Sequence, residues 1–178
     1  NETIERPDQL EGKTYKIKPG HIDHALYLTI NDIVLNPGTE HEERRPFEVF
    51  INSKDMHNYQ WVVALTRIMS AVFRKGGDVA FMVVELRSVF DPAGGFWDSG
   101  SYKNSLVAVI GDVINRHLQG LGLIAPPERN DAAIALMANK MEGQEKPLGQ
   151  LCNKCGEHAV VMLDGCMTCM ACGDSKCG

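Results

Sequence analysis

The chain has 178 residues, 44% of them hydrophobic, and a formal net charge of -5. That length buries one proper core with room for a small module, and the apolar content excludes a disordered protein. The acidic balance argues against a general nucleic-acid-binding role, which normally shows a basic face. No apolar run approaches the roughly 20 residues needed to span a bilayer, and no secretory signal opens the sequence. It begins with Asn1 rather than Met, which reads as a trimmed chain or one cut from something longer.

Residues 1–12 are polar and read as a loose N-terminus. "TYKIKPG" at 14–20 alternates like a short strand, and "HALYLTINDIVL" at 24–35 sets Leu26, Leu28 and Ile30 on one face. A charged, turn-rich loop runs from Asn36 to Arg45. "PFEVFINS" at 46–53 is a third strand with the stripe Phe47, Val49 and Ile51. Three such strands suggest an antiparallel sheet with one buried face. The period then changes. Trp61, Leu65, Ile68 and Val72 make one face of a helix, which "KGG" at 75–77 ends. Asp78 can cap a second helix with the stripe Val79, Met82, Val83, Leu86 and Phe90, stopped by Asp91-Pro92. "AGGFWDSGS" reads as a loop. Ser101 or Asn104 opens a third helix carrying Leu106, Ile110, Val113 and His117, closed by Gly120 and Gly122. The expected fold class is α+β: a small antiparallel sheet followed by three helices over 13–124, a flexible linker over 125–149, and a C-terminal zinc ribbon over 150–178. "DAAIALMANKME" within the linker can form an amphipathic turn or two.

All six cysteines fall between Cys152 and Cys177. A secreted disulfide scaffold would spread them through the fold, so paired C-x-x-C spacing in one stretch reads as a cytosolic thiolate site. Zinc takes four soft ligands at tetrahedral corners, and a C-x-x-C turn supplies two of them. Cys152-x-x-Cys155-Gly156 and Cys169-x-x-Cys172-Gly173 both fit, with "EHAVVMLDG" between them long enough for a hairpin. So small a module has little core, and its metal does much of the folding. Cys166-x-x-Cys169 is also correctly spaced. Ligands Cys152, Cys155, Cys166 and Cys169 would leave Cys172 and Cys177 free; ligands Cys152, Cys155, Cys169 and Cys172 would leave Cys166 and Cys177. The two glycine-followed knuckles favour the second set. His158 could substitute in principle, but four better-spaced thiolates are present. The two remaining thiols read either as tolerated extra cysteines or an alternate zinc ligand, or as a dithiol that exchanges electrons, with Lys176 helping Cys177 form thiolate.

"RPFEVFINSKDMHNYQWVVALTRIMSAVFRKGGDVAFMVVELRSVFDPAGGFW" with "SLVAVIGDVINRHL" closely resembles the C-terminal region of adenosylcobalamin-dependent (class II) ribonucleotide reductases. "GCMTCMACGDSKCG" resembles the end of the same proteins, and the separate small subunit of the split form is the nearest likeness. The resemblance covers about residues 6–124 and 150–178. It implies an accessory chain of a ribonucleoside-diphosphate reductase type of enzyme, cytoplasmic, docked through its α+β domain on a catalytic large subunit. That partner would hold the adenosylcobalamin, the radical barrel and the active-site disulfide. A cysteine-rich tail would reduce that disulfide, with Cys166 and Cys177 (alternatively Cys172 and Cys177) as the redox relay, recharged by an external dithiol reductant. Zinc, redox-inert, would be structural.

There are departures. Residues 1–151 hold no cysteine and cannot build the barrel, so the chain alone should not reduce a nucleotide. No cobalamin site is visible: His117 lies in a helix stripe and reads as a core histidine rather than a cobalt ligand, and His57 offers no better case. The first knuckle reads Cys-Asn-Lys-Cys, where family members often carry a proline after the first cysteine. Among other candidates, "RKGGD" reads as a helix end rather than a phosphate loop. Arg44, Arg45, Arg67, Arg74 and Lys75 read as solvated charge before they read as a basic docking face. Phe96 and Trp97 can anchor an interface or pack inward. The rival reading is a zinc-ribbon adaptor or assembly module that docks a partner without redox chemistry. Neither nucleic acid nor membrane is expected as a partner.

Overall fold

The computed structural model describes residues 4–19, 23–54, 58–98, 101–140 and 149–177; His57 lies outside them. The chain forms two compact units, Asn1–Leu86 with Val109–Ile124 and Arg87–Ala108 with Ala125–Gly178.

The first unit is built on a three-stranded antiparallel sheet, β1 (Glu11–Ile17), β2 (Leu26–Leu35) and β3 (Glu43–Ser53), in that spatial order. Alternation sets its faces. Leu26, Leu28 and Ile30 are buried on one side, while Tyr27 on the other is exposed. The helices of this unit are α1 (Tyr59–Lys75), the first part of α2 (Ala80–Ser88) and most of α3 (Leu106–Gly120). Its core includes Leu28, Ile30, Phe47, Val49, Met69, Ile114 and Leu118, all nearly inaccessible.

The α1 stripe requires a correction. Trp61 is 70% exposed and Ile68 63%, whereas Thr66, Met69, Ser70 and Phe73 are buried. The reason is polar. β3 is an edge strand whose outward backbone groups need partners. Ser70 Oγ accepts from the Val49 N–H at 3.0 Å, and approaches the carbonyls of Val49 at 3.3 Å and Thr66 at 2.8 Å. A small hydroxyl lets the helix come close to the strand, and its face turns inward in place of the Trp61 face. In α2, Asp78 Oδ1 accepts from Ala80 N–H, and Val79, Met82, Val83 and Leu86 are buried as the period implies; Phe90 lies past the helix end and is 71% exposed. Ser105, rather than Ser101 or Asn104, caps α3, accepting from the Ala108 N–H at 3.1 Å.

Two polar networks tie this unit together. Arg6 reaches both carboxylate oxygens of buried Glu48 at 3.0 Å, and Asn31 donates to the same group at 2.9 Å. On the inner face Tyr15 Oη lies 2.8 Å from His117 Nδ1, His117 Nε2 lies 2.7 Å from Asp32, and Arg44 Nε donates to Asp32 at 3.0 Å. Both ring nitrogens of His117 are thus engaged inside the fold.

The second unit holds the hairpin β4 (Phe96–Asp98) and β5 (Ser101–Lys103), the helix α4 (Asp131–Lys140), and a three-stranded sheet of β6 (Gln150–Leu151), β7 (His158–Leu163) and β8 (Cys166–Cys169). The hairpin stands where a loop was expected. Strands of three residues flanked by glycines leave no periodic signal. α4 forms within the expected linker, its N-terminus capped by Asn130 Oδ1 on the Ala133 N–H at 3.1 Å.

Two outcomes follow. Ser70→Ala strands the buried Val49 N–H and should cost about 1–3 kcal/mol; an unchanged denaturation midpoint would show that the hydroxyl is not what seats α1. Hydrogen bonds from Arg6, opposed by burial and aided by Asn31, hold the Glu48 carboxyl below the ordinary carboxylate range. A depressed pKa stabilises the fold above the unfolded value, and that contribution is lost as pH falls through the folded value. Glu48→Gln should therefore be less stable than the parent near neutrality, with the gap closing below about pH 4; parallel stability curves down the acid limb would contradict this.

Candidate metal centre and thiol pair

The cysteine segment makes the same turn twice. In the first, Gly156 N–H donates to the Cys152 carbonyl at 2.8 Å and Cys152 N–H to the Glu157 carbonyl at 2.8 Å. In the second, Gly173 N–H donates to the Cys169 carbonyl at 2.9 Å and Cys169 N–H to the Asp174 carbonyl at 2.7 Å. Gly156 (φ 71°) and Gly173 (φ 76°) are left-handed, a conformation glycine adopts without steric cost. Each C-x-x-C-G motif is one such turn. Between them β7 and β8 pair from Val160 opposite Cys169 to Leu163 opposite Cys166, joined by Asp164-Gly165, both at positive φ, as a two-residue hairpin demands.

The turns bring four sulfurs together. The Sγ atoms of Cys152, Cys155, Cys169 and Cys172 all lie within 4.8 Å of one another. Cys152 to Cys172 is 3.8 Å and Cys155 to Cys169 is 3.6 Å. A tetrahedral zinc with bonds near 2.3 Å would separate its thiolates by about 3.8 Å. The donor set and its spacing fit such a metal, and this cluster could hold an ion such as zinc. Cys152, Cys169 and Cys172 are buried, with Cys155, Ala159, Val160 and Ala171 packed around them. Burial pushes the Cys155 thiol upward and the Cys169 thiol to about 11. It acts on Cys152 as well, but hydrogen bonds from the backbone of Cys155 and Lys154 outweigh it and bring that thiol down. Ligation requires thiolates, so metal loading releases protons and weakens in acid.

Cys166 does not join the cluster. It lies with Cys169 in β8, and residues three apart in a strand point to opposite faces. The competing C-x-x-C pair is extended where a knuckle needs a turn. Cys166 is instead disulfide-bonded to Cys177, their Cα atoms 5.7 Å apart. Residues after the second knuckle run back along β8, with Lys176 N–H donating to the Met167 carbonyl at 3.2 Å and a bridge pairing Thr168 with Ser175.

Sequence reasoning missed how the ribbon is held within its unit. Arg87 donates to the Cys155 carbonyl at 3.0 Å and to Glu157 at 3.4 Å, Lys103 reaches the other Glu157 oxygen at 3.3 Å, and Tyr102 meets His158 edge-on. An added Cβ on Gly156 would run into the Arg87 guanidinium. Asn130 N–H donates to the Cys172 carbonyl at 2.8 Å, tying the start of α4 to the second knuckle.

A family model, the TSCPD domain, matches residues 2–118. The chain belongs to the TSCPD domain family. This domain is found in the C-terminal regions of class II ribonucleotide reductases. The match ends before the cysteines, so the four-cysteine cluster stands on its own geometry. No curated protein and no solved structure matches the chain.

Within the TSCPD region the remaining candidates divide. Arg44 pairs with Asp32 and Glu11, and Arg45 with Glu43, so neither is a free surface cation. Arg67, Arg74 and Lys75 are exposed. Trp97 is half-exposed and packs edge-on against Tyr102. The buried His117 and Asp32 pair had a readable signal: Asp32 continues the inward register of Leu26, Leu28 and Ile30, and a charge there demands a partner.

Cys152→Ser should lose stoichiometric metal and loosen the ribbon, while Cys166→Ser should keep it, as read by elemental analysis of the purified chain. Metal loss in Cys166→Ser, or full loading in Cys152→Ser, would move the ligand set.

Proposed function

We propose that this chain is the electron-delivering accessory part of an adenosylcobalamin-dependent ribonucleotide reductase, and that Cys166 and Cys177 are its redox pair. The observation that carries the reading is the division of six cysteines into a buried four-sulfur cluster and one separate pair able to bridge. The TSCPD match supports the reductase context. Cys177 is exposed and Cys166 half-buried, which supports Cys177 as the attacking thiol and Cys166 as the resolving one. The Cys177 thiolate attacks one sulfur of a disulfide in the catalytic chain, forming a mixed disulfide and expelling a thiolate. Cys166 then attacks the Cys177 sulfur, expels the second thiolate, and closes the Cys166–Cys177 bridge. Two electrons pass to the target; one dithiol here becomes a disulfide as one disulfide there becomes a dithiol. An external dithiol reductant resets the pair. The metal in the four-cysteine cluster would hold both knuckles and take no part in the electron transfer if it is zinc. The catalytic partner would supply adenosylcobalamin and the radical chemistry, and this chain alone would turn over no nucleotide.

Cys177→Ser, assayed with the catalytic chain and a protein dithiol too large to enter its active site, should give one round of deoxynucleotide and no sustained turnover. Sustained turnover by that variant would sink the relay and leave the zinc-ribbon adaptor, which docks without redox chemistry.

A further inference from the structure

The first unit carries a cleft that the electron-transfer reading does not use. Its volume is about 310 Å³, at the small end of ligand sites, roughly 300–1,000 Å³. It opens at one end of the outward face of the sheet. The register sets Lys16, Tyr27 and Asn52 side by side across β1, β2 and β3, next to the row Thr14, Thr29 and Phe50. Lys18, Asp23, His24, Ala25, Ser53 and Lys54 also line it. Tyr27 and Phe50 are 43% and 52% exposed, so the sheet offers aromatic surface where alternation would favour polar residues.

The charges are arranged against the chain's overall balance. Lys16, Lys18 and Lys54 line the cleft with Asp23 as the one carboxylate among the described residues, in a protein of net charge -5. Among the described residues none of these three ammonium groups forms a salt bridge. Three lysine ammonium groups around a concave surface attract a multiply charged anion. An exposed tyrosine ring beside them offers a stacking surface for a base. Asp23 repels phosphate but accepts a hydrogen bond from a hydroxyl or an amine, which a bare polyphosphate lacks.

We infer that this cleft binds a nucleoside polyphosphate, its phosphates on Lys16, Lys18 and Lys54 and its base on Tyr27. The inference needs no redox activity and stands or falls apart from the relay.

Calorimetric titration of the full, metal-loaded chain tests it, with ATP, inorganic triphosphate and a short single-stranded oligonucleotide as probes. ATP should saturate one site and triphosphate bind more weakly. Lys16→Glu with Lys54→Glu should weaken both by about fivefold or more, and Tyr27→Ala should weaken ATP by about fivefold or more while leaving triphosphate unchanged. On the unaltered chain, ATP should shift the amide resonances of the cleft residues, which keeps the test independent of how the variants fold. No binding up to about 1 mM would overturn the inference. So would equal binding of ATP and triphosphate, which reports a bare anion patch, or tighter binding of the oligonucleotide through the same residues, which reports a nucleic-acid surface.

Discussion

Four thiols packed within 4.8 Å of one another are the constraint on which the cysteine module rests. Without an ion, contacts among four thiols repay little of the entropy of ordering the chain around them. An ion bound among them would convert them to thiolates and supply that missing stabilisation. The rest of the module follows from holding these corners. Each knuckle needs a turn closed by a left-handed glycine, the two turns need a hairpin of fixed register between them, and the hairpin needs its Asp164-Gly165 bend. Once the register is set, Cys166 is on the far face of β8 and is excluded from the cluster whatever its spacing in the sequence.

The sequence was readable wherever one local rule acted alone. The C-x-x-C-G turns, the Asp78 cap and the alternation of Leu26, Leu28 and Ile30 each depend on chemistry a few residues wide. It misled where two rules competed. α1 has its expected period, but the phase of its buried face is chosen by the hydrogen bonds between Ser70 and the edge of β3, not by the largest apolar side chains. Trp61 and Ile68 are outward as a result. The hairpin at 96–103 was invisible because three-residue strands have no period to detect. The choice between Cys166 and Cys172 as the fourth sulfur was open because spacing alone does not distinguish a strand from a turn; the following glycine was the only sequence signal, and the structure gives it a backbone reason.

The proposed relay imposes a further geometric condition. Glu157 is gripped by Arg87 and Lys103, and Asn130 is bonded to the second knuckle. The ribbon is therefore part of its unit and not a free bead on a tether. The weakly held piece is the segment after the second knuckle. Apart from the Cys166–Cys177 bridge and the Cys169–Asp174 bond, among the described residues it is held by the Lys176 to Met167 bond at 3.2 Å, the Thr168 hydroxyl on Ser175 at 3.3 Å and a Lys154–Asp174 ion pair at 4.0 Å. Opening the disulfide removes the strongest of these restraints and leaves Cys177 on a short arm. Four residues extend at most about 14 Å. An acceptor disulfide must then come within that distance of Asp174, or the whole unit must travel to it. The long reach expected of a flexible tail cannot come from residues 174–177; under the proposed function it has to come from motion of the unit that carries them.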